Sequence, residues 1–278
     1  MAKRFYHLAE WWHLLSLDAP TVAALWAWFF ARAMHLHLSL LPALLLGLGT
    51  WLLYVADRIL DGLRQPPSEP LRERHLFHAR HRTAFLRAAS LLLLLLAWYV
   101  VTRMRPEARR EDSWIAICAL LYFYAVHRTT ESKHRLPKEL AVALVFAAAT
   151  AVPAWSQLGL GSGLGKVQLA PAVLFFAALC WINCVGIEKW EAGGAAHAST
   201  RWASLHLRAI VTMVALLAVA AAVLAPSPGL TSVYLAAFCS SALLLLLDAR
   251  STRLSPLHLR IAADAALLTP LALFPFAR

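Results

Sequence analysis

Apolar residues in this chain run in long blocks, each closed by a short charged or proline-bearing stretch. Crossing a hydrocarbon layer takes about 20 residues of helix. The blocks at 19–38, 39–60, 83–102, 113–127, 138–156, 168–188, 206–225, 229–247 and 259–276 therefore predict about nine transmembrane helices. The first segment differs: over 3–16, acids, histidines and apolar residues mix at helical spacing. This predicts an amphipathic helix lying at the interface within residues 1–17, with Trp11 and Trp12 as anchors. No internal repeat is visible. The segments 61–82 and 189–205 read as loops.

Composition agrees with this pattern. Of the 278 residues, 60% are hydrophobic, and the mean hydropathy is +0.62, more than a soluble domain needs to fill its core. The net charge is +11. In a soluble protein that would suggest nucleic acid, but in a membrane protein basic loops face the anionic cytoplasmic leaflet, so no nucleic-acid partner is expected. With the N-terminus inside, most of the 26 Lys and Arg residues fall on cytoplasmic loops. The basic loop "TRMRPEARRED" (102–112) is the exception. The expectation is a multi-pass protein of the cell (inner) membrane, N-terminus cytoplasmic, with no cleavable signal peptide. The four cysteines lie inside apolar blocks without zinc or disulfide spacing, and read as small buried hydrophobes.

Candidate chemistry gathers where apolar blocks end. In "LLYVADRILDGLRQPPSEP" (52–70), Asp57 and Asp61 stand four apart, on one face of a helix. In "CWINCVGIEKWEAGG" (180–194), Glu188 and Glu191 stand three apart, and Asn183 lies upstream. Clustered acids repel unless a cation joins them, and Mg²⁺ suits oxygen ligands and bridges to phosphate. The basic stretch "LRERHLFHARHR" (71–82) follows the first pair. Each acid pair closes an even-numbered block, so the two face the same side of the membrane. An equally plain reading makes them solvated helix ends with local ion pairs.

The stretches "SLDAPTVAALW" (16–26), "LYVADRILDG" (53–62), "YFYAVHRTTESKHRLPKEL" (122–140) and 180–194 together resemble the UbiA-type intramembrane prenyltransferases. Asp57, Arg58, Asp61 and Gly62 match the second half of that family's first acidic motif. Leu53 and Tyr54 stand where an Asn and an Asp are usual. In the second motif Cys184 and Ile187 replace two acids, and Ser16 replaces a usual Arg. The resemblance implies an all-α, UbiA-like bundle of nine helices around a central cavity, one membrane domain over 1–278. The two acidic segments would carry the site on the cytoplasmic side. It further implies Mg²⁺ held by Asp57, Asp61, Glu188 and Glu191. Arg58, Arg72, Arg128 and Lys133 would hold diphosphate. Tyr54, Tyr122 and Asn183 would line the substrate, with Trp51 and Trp181 along the tail. The implied reaction moves a prenyl group from an isoprenoid diphosphate to a lipid-like acceptor.

Two other readings stand beside it. With its acidic motifs reduced, the chain also reads as a UbiA-like protein that binds an isoprenoid or lipid without catalysis. His75, His78 and His81, three apart in turn, read as a possible zinc or iron cluster of a membrane metalloenzyme. Among single residues, Asp264 is expected to pair with Arg260 one turn earlier, and Arg32 to snorkel outward. Pro153, Pro270 and Pro275 are expected to kink or end their helices.

Overall fold

The computed structural model describes residues 2–64, 73–128, 138–159, 163–192 and 198–276, and these are helical, with no strand among them. In chain order the helices are α1 (Ala2–Leu14), α2 (Asp18–Ala33), α3 (Leu40–Arg64), α4 (Glu73–Arg80), α5 (Arg82–Thr102), α6 (Pro106–Arg128) and α7 (Lys138–Leu158). They continue as α8 (Leu164–Ala192), α9 (Ala198–Leu205), α10 (Leu207–Leu224), α11 (Pro228–Arg250), α12 (Pro256–Ala266) and α13 (Pro270–Leu273). Among the described residues seven segments are long and apolar enough to cross a membrane, and α1–α2 adds an eighth if its two arms count as one span. This is an integral, multi-pass architecture.

The count of nine crossings is not reached among the described residues. The expected fourth crossing does form a helix, α6, but it opens on "PEARRED", and its average hydrophobicity is far below that of its neighbours. The segments read as loops are also partly helical. Helix α3 continues through Asp61 to Arg64, α4 occupies 73–80, and α8 runs on to Ala192 before α9 begins. Backbone hydrogen bonds continue past the apolar blocks, so charged residues ride on the same helices as the spans.

Packing rests on small residues, as expected where lipid tails compete with side chains for apolar contact. Helix α7 buries Ala143, Ala147, Ala151 and Ala154 at helical spacing, and α8 brings Ala172 and Ala177 to the same core. Aromatic residues fill the remaining space. Trp26 on α2 stacks on Phe176 of α8 with ring centres 4.4 Å apart, and Phe30 meets Phe176 edge-on at 5.9 Å. Such pairs contribute about 1 kcal/mol each beyond their burial.

Two irregularities position the functional end. The first is an elbow: α1 and α2 meet at 91° across residues 15–17. Ser16 takes a left-handed backbone (φ 56°), its N–H donates to the His13 carbonyl, and the Leu17 N–H reaches back to Trp12. This is the paired helix-ending turn that glycine usually closes. Trp51 on α3 donates its indole N–H to the Leu15 carbonyl at 2.9 Å and fixes the elbow from the side. Trp51 therefore braces backbone, where the resemblance placed it along a tail.

The second is a break between α12 and α13, where Pro270 begins a new turn. The interrupted ladder is repaired from outside: Trp26 Nε1 donates to the Leu267 carbonyl at 2.8 Å, and Thr269 Oγ1 donates to the Ala236 carbonyl at 2.9 Å. An interrupted membrane helix persists where neighbours satisfy its freed backbone groups. At the opposite end of the bundle stands Arg32, half-buried. It lies over the Phe274 ring at 4.7 Å and donates to the Phe274 carbonyl.

Candidate functional site

The start of α2, the last turns of α3 and α8 and the first turns of α12 meet at one end of the bundle. The shared interior there is polar. Asp18 opens α2 and is buried, and its Oδ2 lies 2.8 Å from His13 Nδ1 across the elbow. Its Oδ1 accepts the Ala19 N–H at 2.9 Å, as an acid at a helix start should. Asp264 on α12 brings a carboxylate oxygen within 4.8 Å of Asp18, and it accepts from Asn183 Nδ2 on α8 at 2.9 Å. Among the described residues, His13, Asp18 and Asp264 form the one group of three such side chains whose ligand atoms lie within 4.8 Å of each other.

Helix α3 supplies the opposite wall. Arg58 is buried and sits over the Tyr54 ring at 5.7 Å. Its charge acts on Asp18, and Tyr54 in turn feels Asp18, Asp264 and the Cys184 thiol of α8. Helix α4 closes the outer side. His78 is fully buried, stacks on Phe85 at 4.1 Å, and lies 3.4 Å from Ser16 Oγ in the elbow. Burial first, and the Arg58 guanidinium second, push His78 down to about 4, so its ring is neutral at pH 7.

The residues expected from sequence distribute unevenly around this interior. Arg58, Tyr54 and Asn183 lie in it. Asp57 is half-buried on the same turn of α3 as Arg58. Glu191 reaches it from the rim, bound to Arg260 Nη1 at 3.0 Å and 3.4 Å. Glu188 is half-buried one turn earlier on α8. The side chains of Asp61, Tyr122 and Arg128, and the whole of Arg72 and Lys133, fall outside the described residues. Arg260, expected to pair with Asp264, hydrogen-bonds to Glu191 while its charge still acts on Asp264, whose carboxylate accepts from Asn183. The three histidines expected as a cluster do not come together either. His75 and His78 on α4 are buried, whereas His81, just past its end, is exposed and donates from Nδ1 to the Phe77 carbonyl at 3.0 Å.

The fit of Mg²⁺ to the expected acids can be tested on these positions. Asp57, Glu188 and Glu191 do not bring three ligand atoms within one ion's reach, and Glu191 is committed to an arginine. The described parts of that set do not form a cage. His13, Asp18 and Asp264 were not singled out as ligands from sequence. The signals were present: Asp18 within "SLDAP", and Asp264 as an acid inside an apolar block. His13 carried none, because its partner becomes visible only after the elbow folds.

A second polar cluster lies at the same end. Asp248, buried near the end of α11, accepts from Lys189 Nζ at 2.7 Å, from Trp190 Nε1 at 3.0 Å and from Arg208 Nε at 2.7 Å. It ties α8, α10 and α11 together.

A scan against protein-family models and searches of curated proteins and of solved structures return no match to this chain.

Proposed function

We propose that this protein transfers a prenyl group from an isoprenoid diphosphate to a lipid-like acceptor at the polar end of the bundle. The reading rests on a buried arginine, Arg58 of α3, beside Tyr54, whose hydroxyl feels the Cys184 thiol of α8 and the Asp18 and Asp264 carboxylates. A buried guanidinium next to apolar and aromatic walls suits a headgroup that is anionic and a tail that is not. In the reaction the allylic C–O bond breaks and its electron pair leaves with diphosphate. An electron pair of the acceptor forms the new bond to that carbon, and the acceptor releases a proton. Arg58 stabilises the charge that develops on the leaving group. The apolar helix faces keep water from the allylic carbon. Mg²⁺ is the proposed cofactor, with Asp57, Asp61, Glu188 and Glu191 as its proposed ligands on the resemblance to UbiA-type enzymes. The polar end is the proposed cytoplasmic face, in keeping with the distribution of basic residues.

The test is consumption of a prenyl diphosphate by purified protein with Mg²⁺. Asp57→Ala and Asp61→Ala are each expected to abolish it, and full activity in both variants would refute the assignment of these acids.

The Glu191–Arg260 pair favours a second reading, in which the protein holds an isoprenoid or other lipid without reacting it, because an acid bound to arginine is not offered to a metal. A lipid that copurifies, with no diphosphate consumed, supports that reading.

A further inference from the structure

We propose that His13, Asp18 and Asp264, with the amide oxygen of Asn183, form a binding site for one divalent transition-metal ion such as Zn²⁺ or Mn²⁺. The site is separate from the acids at the ends of α3 and α8, and it does not depend on the prenyl-transfer reading.

Geometry brings the donors together. Two ligands of one ion are separated by at most twice the metal–ligand length, about 4–5 Å. The imidazole nitrogen and the two carboxylate oxygens lie within 4.8 Å of each other, so a single ion can touch all three after a small contraction. They come from three different helices, α1, α2 and α12, and are held by features already fixed: the Schellman-type elbow, the start of α2 and the first turns of α12.

Two carboxyls inside a protein whose oxygens lie within 4.8 Å of each other need either a proton or a cation between them. The independent pointer to a cation is Asn183. Its Nδ2 is spent on Asp264, and its Oδ1 is buried and accepts no hydrogen bond among the described residues. The nitrogen bond holds this amide against Asp264, a member of the acid pair. A buried amide oxygen left without a donor is costly, and a metal ion satisfies it.

Ligand type selects the ion. Arg58 already offsets part of the negative charge near Asp18, which lowers the attraction for a cation bound by charge alone. The imidazole favours zinc, iron, copper or nickel over calcium and magnesium, and the two carboxylates also admit manganese. When the metal enters, the proton shared between His13 Nδ1 and Asp18 is released to solvent, and the nitrogen lone pair forms the bond to the ion.

The test is zinc and manganese binding by the full chain, purified in detergent and stripped with chelator. One Zn²⁺ per chain is expected, resisting a hundredfold excess of Mg²⁺. His13→Ala and Asp264→Asn are each expected to weaken it by at least about ten-fold, and Asn183→Ala by a smaller factor. Asp57→Asn is expected to leave binding unchanged, so this site and the prenyl-transfer acids can fail separately. If Asp264→Asn does not fold, Asn183→Ala reads the same question, because it removes one amide and no charge. No saturable binding overturns the proposal. So does binding that persists in His13→Ala and Asn183→Ala, or that is lost only when His75 and His81 are replaced.

Discussion

Asp248 and Asp264 are both buried acids near the same end of the bundle, but their surroundings differ in kind. Asp248 is surrounded by donors: an ammonium, an indole and a guanidinium, each within 3.0 Å. Asp264 meets one amide and another acid, beside an amide oxygen without a donor. The first arrangement is complete and holds helices together. The second is incomplete, and a buried group that lacks a partner marks a place where something else binds. That difference in satisfaction separates a brace from a candidate site.

The sharpest way to break this contrast is to neutralise both acids without changing their size. Asp248→Asn leaves Lys189 and Arg208 unpaired and is expected to cost about 2–3 kcal/mol, less than a wholly buried pair because both cations reach solvent. Asp264→Asn is expected to cost under about 1 kcal/mol while removing bound metal. Thermal melts in detergent decide it, and equal losses in the two variants would abolish the distinction.

A smaller effect is expected at the rim. Arg260 and Glu191 are both largely buried, and a double-mutant cycle with Arg260→Gln and Glu191→Gln should give a coupling of about 1–2 kcal/mol. A coupling near zero would return Glu191 to the set of available metal ligands.

His78 sharpens the comparison through pH. The folded protein holds its ring neutral down to about 4, whereas an exposed histidine takes up a proton near 6.5. Between these values the unfolded chain binds a proton that the folded chain refuses. Stability is therefore flat above 6.5 and declines as pH falls toward 4. His78→Gln is expected to remove this component from the pH profile of the thermal midpoint. A wild-type midpoint that rose as pH fell from 6.5 toward 4 would contradict the burial of His78 against Arg58.

The smallest expected change is at the elbow. Ser16→Gly relieves a left-handed backbone and gives up a long 3.4 Å contact to His78, so it should stabilise by under about 1 kcal/mol. A loss of stability would mean that the Ser16 hydroxyl matters more to the elbow than its backbone strain.

The contrast also shows what could be read from sequence. Apolar blocks located the long helices, because a run of about 20 apolar residues has few other stable uses. Arg58, Tyr54 and Asn183 were legible because they sit at the ends of those blocks. Asp264 was visible but assigned to Arg260, since proximity along one helix was the available guide; tertiary partners on α8 and α2 drew the two residues apart. His13 and Asp248 were not singled out at all. Their roles depend on a 91° turn and on helices distant in sequence, and hydrophobic periodicity carries neither.

The far end of the bundle sets a boundary on all of this. A side-chain carbon placed on Gly229, at the start of α11, would stand 2.3 Å from the Ala33 carbonyl at the end of α2. Those two backbones touch, and no side chain larger than hydrogen fits between them. The seam between α2 and α11 is therefore shut at this level, and nothing passes between these two helices there.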